Sequence, residues 1–383
     1  MQRLEPLKRR YSAIAIIWLN ANILFLVVCV ALGVAFSVKD RLHANSGDRL
    51  ANTQAIHSMA ARDAERVFHD FSLISRTPVS RPWIGFSEPP WHSPSINIDQ
   101  ADPVPVRRTP GPAAGSFRDE KIIWLFGGST AMGYGLPDQL TLSAQLQDEL
   151  QRAYPSSRIV VVNHAHMGHF SSQEVTLMQW VLRSGKRADL AVFLDGLNDS
   201  GYEFDKPNID FQGTISAATQ PLVAFSPQFP PVRLFNAIRK KVVHERPAND
   251  IPQGGEVPLR IAVVEQRYLA NVKLARASAA AYGIETEFVW QPTPFDSIDT
   301  NTSDPEVQRI QPFLRYEPVL KPLNARFRSS PGGRGFLFLA DLFAHDRFVD
   351  IYLDAAHYGD VATRTLARAI AQRIGADKLL EKR

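Results

Sequence analysis

Continuous apolar runs that stop at glycine or polar residues recur along the central and C-terminal parts of the chain. They lie at 121–126, 158–163, 189–195 and 284–290. Amphipathic stretches with a period near 3.6 residues separate or follow them, at 141–150, 171–182, 260–282 and 358–374. Continuous apolar runs are typical of buried parallel strands. Their alternation with helices predicts an α/β fold of three layers around a parallel sheet.

The N-terminal region has a different pattern. No charged residue lies between Tyr11 and Val38, and residues 13–36 are apolar except for two asparagines. A helix over 13–36 is about 36 Å long, enough to cross a bilayer. Because residues 1–10 are rich in arginine and lysine, the positive-inside rule predicts a cytoplasmic tail at 1–10, an anchor at 11–38 and export of everything after Lys39. In a Gram-negative cell this is the periplasm.

A cleaved signal peptide is the alternative to this anchor. The apolar core is longer than that of a usual signal peptide, and no convincing small-x-small cleavage site precedes Lys39. We therefore expect a single-pass membrane protein whose partner at this end is the lipid bilayer.

The sequence of residues 39–116 predicts a stalk followed by an extended arm, which together precede the main domain. From about Leu42 to Phe71 a polar sequence with a weak apolar stripe predicts a helical stalk. From Thr77 to Pro112 prolines and tryptophans recur, which predicts an extended arm wrapped on the domain without regular elements. Trp83 and Trp91 allow two interpretations, buried anchors of the arm or platforms that stack on carbohydrate, and the first is favoured.

Composition agrees with one large domain plus appendages. Of 383 residues, 45% are hydrophobic and 21% are charged, and we place the domain at 117–383. The net charge is +4, but lysine and arginine are scattered, so nucleic-acid binding is not expected. The single cysteine, Cys29, lies in the apolar N-terminal segment, which excludes an intramolecular disulfide. The sequence indicates no particular protein partner.

Four short segments carry the candidate chemistry. They are Phe126-Gly127-Gly128-Ser129-Thr130, Asn163-His164-Ala165-His166-Met167-Gly168, Gly196-Leu197-Asn198-Asp199 and Asp354-Ala355-Ala356-His357. In this order and spacing the segments resemble the SGNH (GDSL-type) hydrolase superfamily, which is named for its Ser, Gly, Asn and His. The resemblance implies about five parallel strands in a flavodoxin-like order. Gly128 stands where the superfamily often has the Asp of a Gly-Asp-Ser block, but that Asp is not a triad member.

The resemblance implies a catalytic triad of Ser129, His357 and Asp354. A serine hydroxyl is a weak nucleophile until a base takes its proton, which is the role of His357. The imidazole must hold one tautomer and tolerate a positive charge, and a carboxylate three residues earlier, Asp354, meets both needs. Such chemistry requires no metal ion and no other cofactor.

The resemblance also implies an oxyanion hole. Acyl transfer places negative charge on the former carbonyl oxygen, and fixed donors stabilise it. The implied donors are the backbone N–H groups of Ser129 and Gly168 and the side-chain amide of Asn198. Each of these three residues follows a predicted parallel strand, and the carboxyl ends of such strands form the edge where ligands bind.

Other residues near these segments are weaker candidates. Gln291, Asp199 and His169 are expected to contact substrate, and capping of the sheet edge is the alternative for Gln291. The histidines of 164–169 also suggest a metal site, but they have no carboxylate nearby in sequence and match no usual zinc spacing, so a polar loop lining the cleft is favoured. Residues 202–259 interrupt the strand-helix alternation directly after Asn198 and predict a cap over the site.

The expected function is therefore that of a membrane-anchored, extracytoplasmic serine esterase or acyltransferase. Its expected substrate is an acylated carbohydrate carrying an O-acetyl group, because export places the enzyme where surface glycans are built. A lipid esterase or lysophospholipase is the alternative enzyme. An inactive assembly factor of a polysaccharide export system is the alternative outside enzymology. Hydrolase and transferase share one triad, so the sequence leaves that choice open.

Overall fold

A computed structural model describes residues 5–47, 56, 58–111, 114–205, 255–296, 316–329 and 336–381. The chain divides into two units, residues 1–49 with 218–247 and residues 50–217 with 248–383. The described part of the first unit is one long helix, Glu5–Gly47. Within it Ala15–Phe36 is long and apolar enough to cross a membrane, a property that signal sequences share.

The second unit contains a short hairpin and a mostly parallel sheet. The hairpin pairs β1 (Val79–Arg81) with β2 (Gly85–Ser87). The strands of the sheet are β3 (Trp91–His92), β4 (Asn97–Asp99), β5 (Val106–Arg107), β6 (Asp119–Gly127), β7 (Ser157–Asn163), β8 (Leu190–Asp195), β9 (Glu285–Trp290) and β10 (Leu337–Phe338).

The spatial order of the sheet is β10-β9-β8-β6-β7-β5-β4-β3. Strands β6 to β10 run parallel, whereas β3, β4 and β5 add an antiparallel edge. The five parallel strands have the flavodoxin-like order, which confirms the predicted fold class.

The order of the strands fixes where a ligand would bind. The chain passes from β6 to β7 in one direction along the sheet and from β8 to β9 and β10 in the other. Right-handed crossovers then place successive helices on opposite faces, and a crevice opens where the direction reverses. That crevice lies at the carboxyl ends of β6 and β8, because these two strands are neighbours.

The helices of this unit pack in two groups. One group contains Leu142–Ala153 and Asp360–Ala376, which contact each other, and the former also contacts β7. The other contains Ser171–Arg183, Leu197–Asp205, Glu256–Ala280 and Glu317–Arg328. Thr141 caps the helix Leu142–Ala153 through its side-chain oxygen, which accepts from the N–H of Ala144. Strand β8 is buried along its whole length, as expected for a central parallel strand.

The region between the N-terminal helix and β6 differs from the expectation. Within the predicted stalk, the helix Ala61–Ile74 buries Val67, Phe71 and Ile74 completely, because its apolar positions repeat at helical spacing. The predicted arm contains regular elements after all, namely the hairpin of β1 and β2 and the edge strands β3 to β5. Proline is tolerated here because these strands are short and lie at an edge.

The two tryptophans of the arm have different surroundings. Trp83 is 64% exposed and lies in the turn between β1 and β2, whereas its neighbour Ile84 is fully buried. Trp91 is half-buried and packs against the main core. Of the predicted cap at 202–259, residues 206–254 lie outside the described part of the chain.

Candidate active site

Ser129 lies at the start of the short helix Ser129–Met132, directly after β6. Its hydroxyl faces the ring of His357, with 2.7 Å between Oγ and Nε2. The other ring nitrogen of His357, Nδ1, lies 2.7 Å from Oδ2 and 2.8 Å from Oδ1 of Asp354. When Nδ1–H donates to the carboxylate, Nε2 is free to accept the serine proton. The structure thus brings the three predicted triad residues into one hydrogen-bonded chain.

The turn that carries His357 also holds Asp354. The backbone N–H groups of Ala356 and His357 donate to Oδ1 of Asp354 at 2.8 and 2.9 Å. Burial raises the pKa of Asp354, but the adjacent His357 ring and these two N–H bonds outweigh burial and leave the pKa below its usual value. The carboxylate therefore stays ionised and can stabilise a cationic imidazole.

An aromatic side chain packs on the imidazole. The ring of Tyr134 lies 4.3 Å from that of His357, centroid to centroid. Tyr134 in turn contacts Phe68 and Phe71 at 6.4 and 4.8 Å. Both phenylalanines belong to the helix Ala61–Ile74, so this upstream helix supports the wall behind the candidate base.

The segment after β8 meets the segment after β6 at a glycine. A Cβ on Gly128 would lie 2.3 Å from Nδ2 of Asn198 and 3.1 Å from the carbonyl oxygen of His169. Only glycine leaves this space, so the Asn198 amide lies directly against the backbone that leads into Ser129. The same Nδ2 donates to the His169 carbonyl at 2.7 Å. An amide carries two N–H donors, so the second remains for a substrate oxygen.

Gly168 provides the third part of the predicted oxyanion hole. Its φ of +71° is in the left-handed region, which favours glycine at the centre of the turn His166–His169. Ser129, Gly168 and Asn198 are each half-buried, whereas the residues beside Ser129 and Asn198 in sequence are buried. Residues that follow the ends of β6, β7 and β8 thus lie together at one accessible crevice edge.

The three predicted substrate contacts differ in how they are placed. Asp199 is buried, and its carboxylate accepts from the Ser171 hydroxyl at 2.5 Å and from the Gly196 N–H at 3.4 Å. It therefore holds the loop in place. His169 is buried too, and its Nε2 bonds the Phe86 carbonyl at 2.8 Å.

Gln291 is the remaining predicted contact. Its Oε1 accepts from the Thr130 hydroxyl at 3.2 Å, next to Ser129. Its Nε2 is buried and has no hydrogen-bond partner among the described residues. Of the three candidates, Gln291 alone keeps a donor beside the serine segment.

The three histidines at 164–169 are buried, and the rings of His166 and His169 lie 4.8 Å apart. His164 stacks on Phe126 beneath the sheet edge, and burial first, then the charge of His166, lowers its pKa to about 3. Burial and the same neighbour lower the pKa of His169 to about 3. Both rings are therefore neutral at physiological pH.

Two residues near the site escaped the sequence analysis, Glu88 and Tyr134. Glu88 lies 2.6 Å from Nδ1 of His166, through Oε2, although 78 positions separate them. No local sequence signal marks a carboxylate whose partners are so distant. Tyr134 follows Ser129 closely, but its contact with His357 depends on how the C-terminal turn folds back.

Two buried carboxyl groups lie behind this edge. Glu174 and Asp195 are 1% and 3% exposed and interact with each other electrostatically. Burial, followed by the charges of nearby acidic residues, raises the pKa of both groups well above their usual values. The folded protein therefore retains protons on this pair that the unfolded chain releases.

We expect Glu174→Gln to stabilise the fold at alkaline pH. The pKa values are raised in the folded state, so the contribution of this pair to wild-type stability is full below the unfolded pKa values, about 4, and is lost as pH rises towards the folded ones. Glutamine does not titrate, so the fall becomes shallower. At pH 8 the unfolding midpoint should rise by about 2–4 °C per kcal/mol gained.

Thermal unfolding from pH 5 to 9 tests this expectation. Glu120→Gln is the control, because Glu120 is an exposed carboxylate paired with Arg158 at 3.1 Å. Its midpoint should follow wild type at every pH. A Glu174→Gln protein as pH-sensitive as wild type would show that this pair does not retain the protons.

Solved esterase and acylhydrolase structures are similar to this chain. The carbohydrate acetylesterase Est24 from Sinorhizobium meliloti is 14% identical, with 67% of this chain and 99% of that one covered and a TM-score of 0.36. The lipase/acylhydrolase from Enterococcus faecalis is 14% identical, with 67% of this chain and 96% of that one covered and a TM-score of 0.36. A catalytic mutant of Axe2, an acetylxylan esterase from Geobacillus stearothermophilus, is 15% identical, with 68% of this chain and 96% of that one covered and a TM-score of 0.34. No family model and no curated protein matches the chain. Identities and TM-scores this low carry no information about its substrate.

Proposed function

We propose that this protein is an SGNH-type serine hydrolase or acyltransferase acting on carboxylic esters. The observation that carries the proposal is the 2.7 Å contact between Ser129 Oγ and His357 Nε2, with Asp354 on the far side of the ring. A nucleophile, a base and an orienting carboxylate in this geometry serve acyl transfer on several unrelated folds. Their place at the crevice edge of the sheet supports the proposal further.

The first half of the proposed reaction forms an acyl-enzyme. Ser129 Oγ attacks the ester carbonyl carbon while His357 Nε2 takes the hydroxyl proton. The carbonyl electrons move onto oxygen, which the N–H groups of Ser129 and Gly168 and the Asn198 amide stabilise. Collapse of this intermediate breaks the bond to the leaving alcohol, and His357 returns the proton to that alcohol.

The second half releases the acyl group. Water or a sugar hydroxyl gives its proton to His357 and attacks the acyl carbonyl, and the same donors stabilise the second oxyanion. Collapse frees Ser129, which regains the proton from His357. With water the product is a carboxylic acid, and with a sugar hydroxyl it is a new ester.

For the substrate we propose an O-acetyl group on an extracytoplasmic carbohydrate. This rests on the proposed location, in which the helix Glu5–Gly47 anchors the protein with its N-terminus in the cytoplasm. Anchoring predicts that full-length protein stays in the membrane fraction after alkaline washing and that protease added outside digests the second unit. A soluble mature protein with a new N-terminus near Ser37 would identify a signal peptide instead. Protection of the second unit would remove the argument for a surface glycan.

Turnover of p-nitrophenyl esters by the full chain in detergent tests the proposed chemistry. We expect hydrolysis of acetate to exceed that of octanoate or longer esters, because an acetyl-specific site gains nothing from a long acyl chain. The reverse preference would favour a lipid esterase. Addition of a glycan acceptor separates the two reactions, since a transferase forms acetylated glycan at the expense of free acetate. Absence of any turnover, acyl transfer or labelling of Ser129 by an organophosphonate would favour the inactive assembly factor.

A further inference from the structure

Glu88 is a buried carboxylate that the proposed reaction does not use. It is 2% exposed and follows the strand β2, in the arm upstream of the parallel strands. Both of its oxygens are engaged by the loop after β7. Oε2 lies 2.6 Å from Nδ1 of His166, and Oε1 accepts the backbone N–H of Met167 at 2.7 Å.

This carboxylate is ionised despite its burial. Burial raises the pKa of Glu88. The charge of His166, its hydrogen bond to Glu88 and then the Met167 N–H bond outweigh burial, so the pKa lies below its usual value. The guanidinium of Arg107 is also close enough to interact with it electrostatically. A buried anion is costly unless it is paired and hydrogen-bonded. Glu88 meets that condition only while the loop keeps its observed conformation.

The contact with Met167 bears directly on Gly168. Because the Met167 N–H is bound to Glu88, the residue immediately before Gly168 is held in place. The Gly168 N–H, the proposed oxyanion donor, lies in the plane of the peptide bond between Met167 and Gly168, so its direction follows from the Met167 backbone. A shift of about 1 Å in such a donor is enough to lower turnover about 10²-fold.

Other contacts hold the loop between the arm and Asn198. The ring of His169 bonds the Phe86 carbonyl at 2.8 Å, and Gln173 Nε2 donates to the Ile84 carbonyl at 2.6 Å. On the other side, the carbonyl of His169 accepts from Asn198. The arm therefore contacts the loop at positions 166, 167 and 169 through Glu88 and Phe86.

We propose that Glu88 is a positioning residue that fixes the Gly168 N–H for the oxyanion, so that the arm is part of the active site. This inference rests on the proposed function. Its contribution is made mainly in the transition state, because only there does the substrate oxygen carry the full charge. Loss of Glu88 should therefore lower kcat and leave KM nearly unchanged.

Steady-state hydrolysis of p-nitrophenyl acetate by Glu88→Gln full-length protein tests the inference. Glutamine keeps an oxygen for the Met167 N–H but loses the charge that faces His166, so we expect kcat to fall about 10- to 10²-fold, with KM within about twofold of wild type. Asp99→Asn is the control, because Asp99 is an exposed arm carboxylate that bonds Arg108 at 2.8 Å. It should retain wild-type kcat and KM.

Two further measurements separate positioning from folding. Hydrogen exchange of the peptide covering 164–170 should accelerate in Glu88→Gln, while exchange in β6 and β8 stays as in wild type. Glu88→Asp keeps the charge but is one methylene shorter, so it cannot reach both partners, and its kcat should also fall. It replaces Glu88→Gln if that protein does not fold.

The outcomes distinguish this inference from the proposed function. A wild-type protein that hydrolyses the ester and a folded Glu88→Gln protein with wild-type kcat would overturn the positioning role alone. A second contrary outcome is a Glu88→Gln protein that unfolds at a lower temperature and yet keeps the wild-type kcat, counted per molecule whose Ser129 reacts with the phosphonate. This result would also overturn the positioning role, because a purely structural role predicts it. A wild-type protein without ester turnover would overturn both.

Discussion

Replacing Ser129 with alanine should remove ester turnover while leaving the fold intact. The hydroxyl contacts the imidazole of His357 and lies at a strand end, where it fills no core space. Loss of a serine nucleophile in a complete triad costs a factor on the order of 10⁶ in kcat. The measurement is the steady-state rate on p-nitrophenyl acetate, with the thermal unfolding midpoint as a check on folding.

Ser75→Ala is the matched control for this variant. Ser75 is an exposed serine at the end of the helix Ala61–Ile74, and its hydroxyl donates only to the Ser72 carbonyl at 3.2 Å. Its turnover should equal that of wild type. Wild-type turnover in a well-folded Ser129→Ala protein would assign any esterase activity to another group and refute the proposed mechanism.

The sequence was sufficient to predict the parallel strands that carry the candidate site. Apolar runs that end at or just before Gly127, Asn163 and Asp195 correspond to the central parts of β6, β7 and β8, because strands of a parallel sheet covered on both faces are mostly apolar. Residues directly after such strands must meet at one edge, so the strand ends together with the resemblance led to the expectation that Ser129, Gly168 and Asn198 lie near each other. The strand β10 was not predicted individually, since two residues give no periodic signal.

The arm could not be predicted in the same way. Its strands have two or three residues each, and proline and tryptophan occur between them. Their formation depends on the edge that β7 offers, with Arg107 of β5 opposite Asn163, and not on local propensity. The role of Glu88 was hidden for the same reason, since its partners lie in a loop that only the folded sheet brings near.

The helix Ala61–Ile74 shows a related limit. Its sequence is polar overall, and a weak stripe predicted a stalk. The structure shows that the stripe is made of few but large residues. One of them, Phe71, is buried and packs against Tyr134. The count of apolar residues therefore underestimated the burial of this helix.

Asn198→Ala should lower kcat about 10²- to 10³-fold with little change in KM. The side-chain amide is the one proposed oxyanion donor that mutation can delete, because the donors at Ser129 and Gly168 are backbone groups. Removal of a single donor has an effect of this size, since it acts on charge that develops in the transition state. The same steady-state assay measures it, and a change in KM alone would make Asn198 a ground-state contact.

Gly128→Ala offers an independent test of the same donor. The new Cβ would lie 2.3 Å from Asn198 Nδ2, so the amide must move away from the serine backbone, and we expect a fall in kcat approaching that of Asn198→Ala. In the double variant the amide is absent, so the new methyl group occupies the space that the amide leaves. The second substitution should therefore cost far less in the Asn198→Ala background than in wild type, a coupling that neighbours show and independent sites do not. Additive losses would mean that Gly128 affects Ser129 by a route other than Asn198.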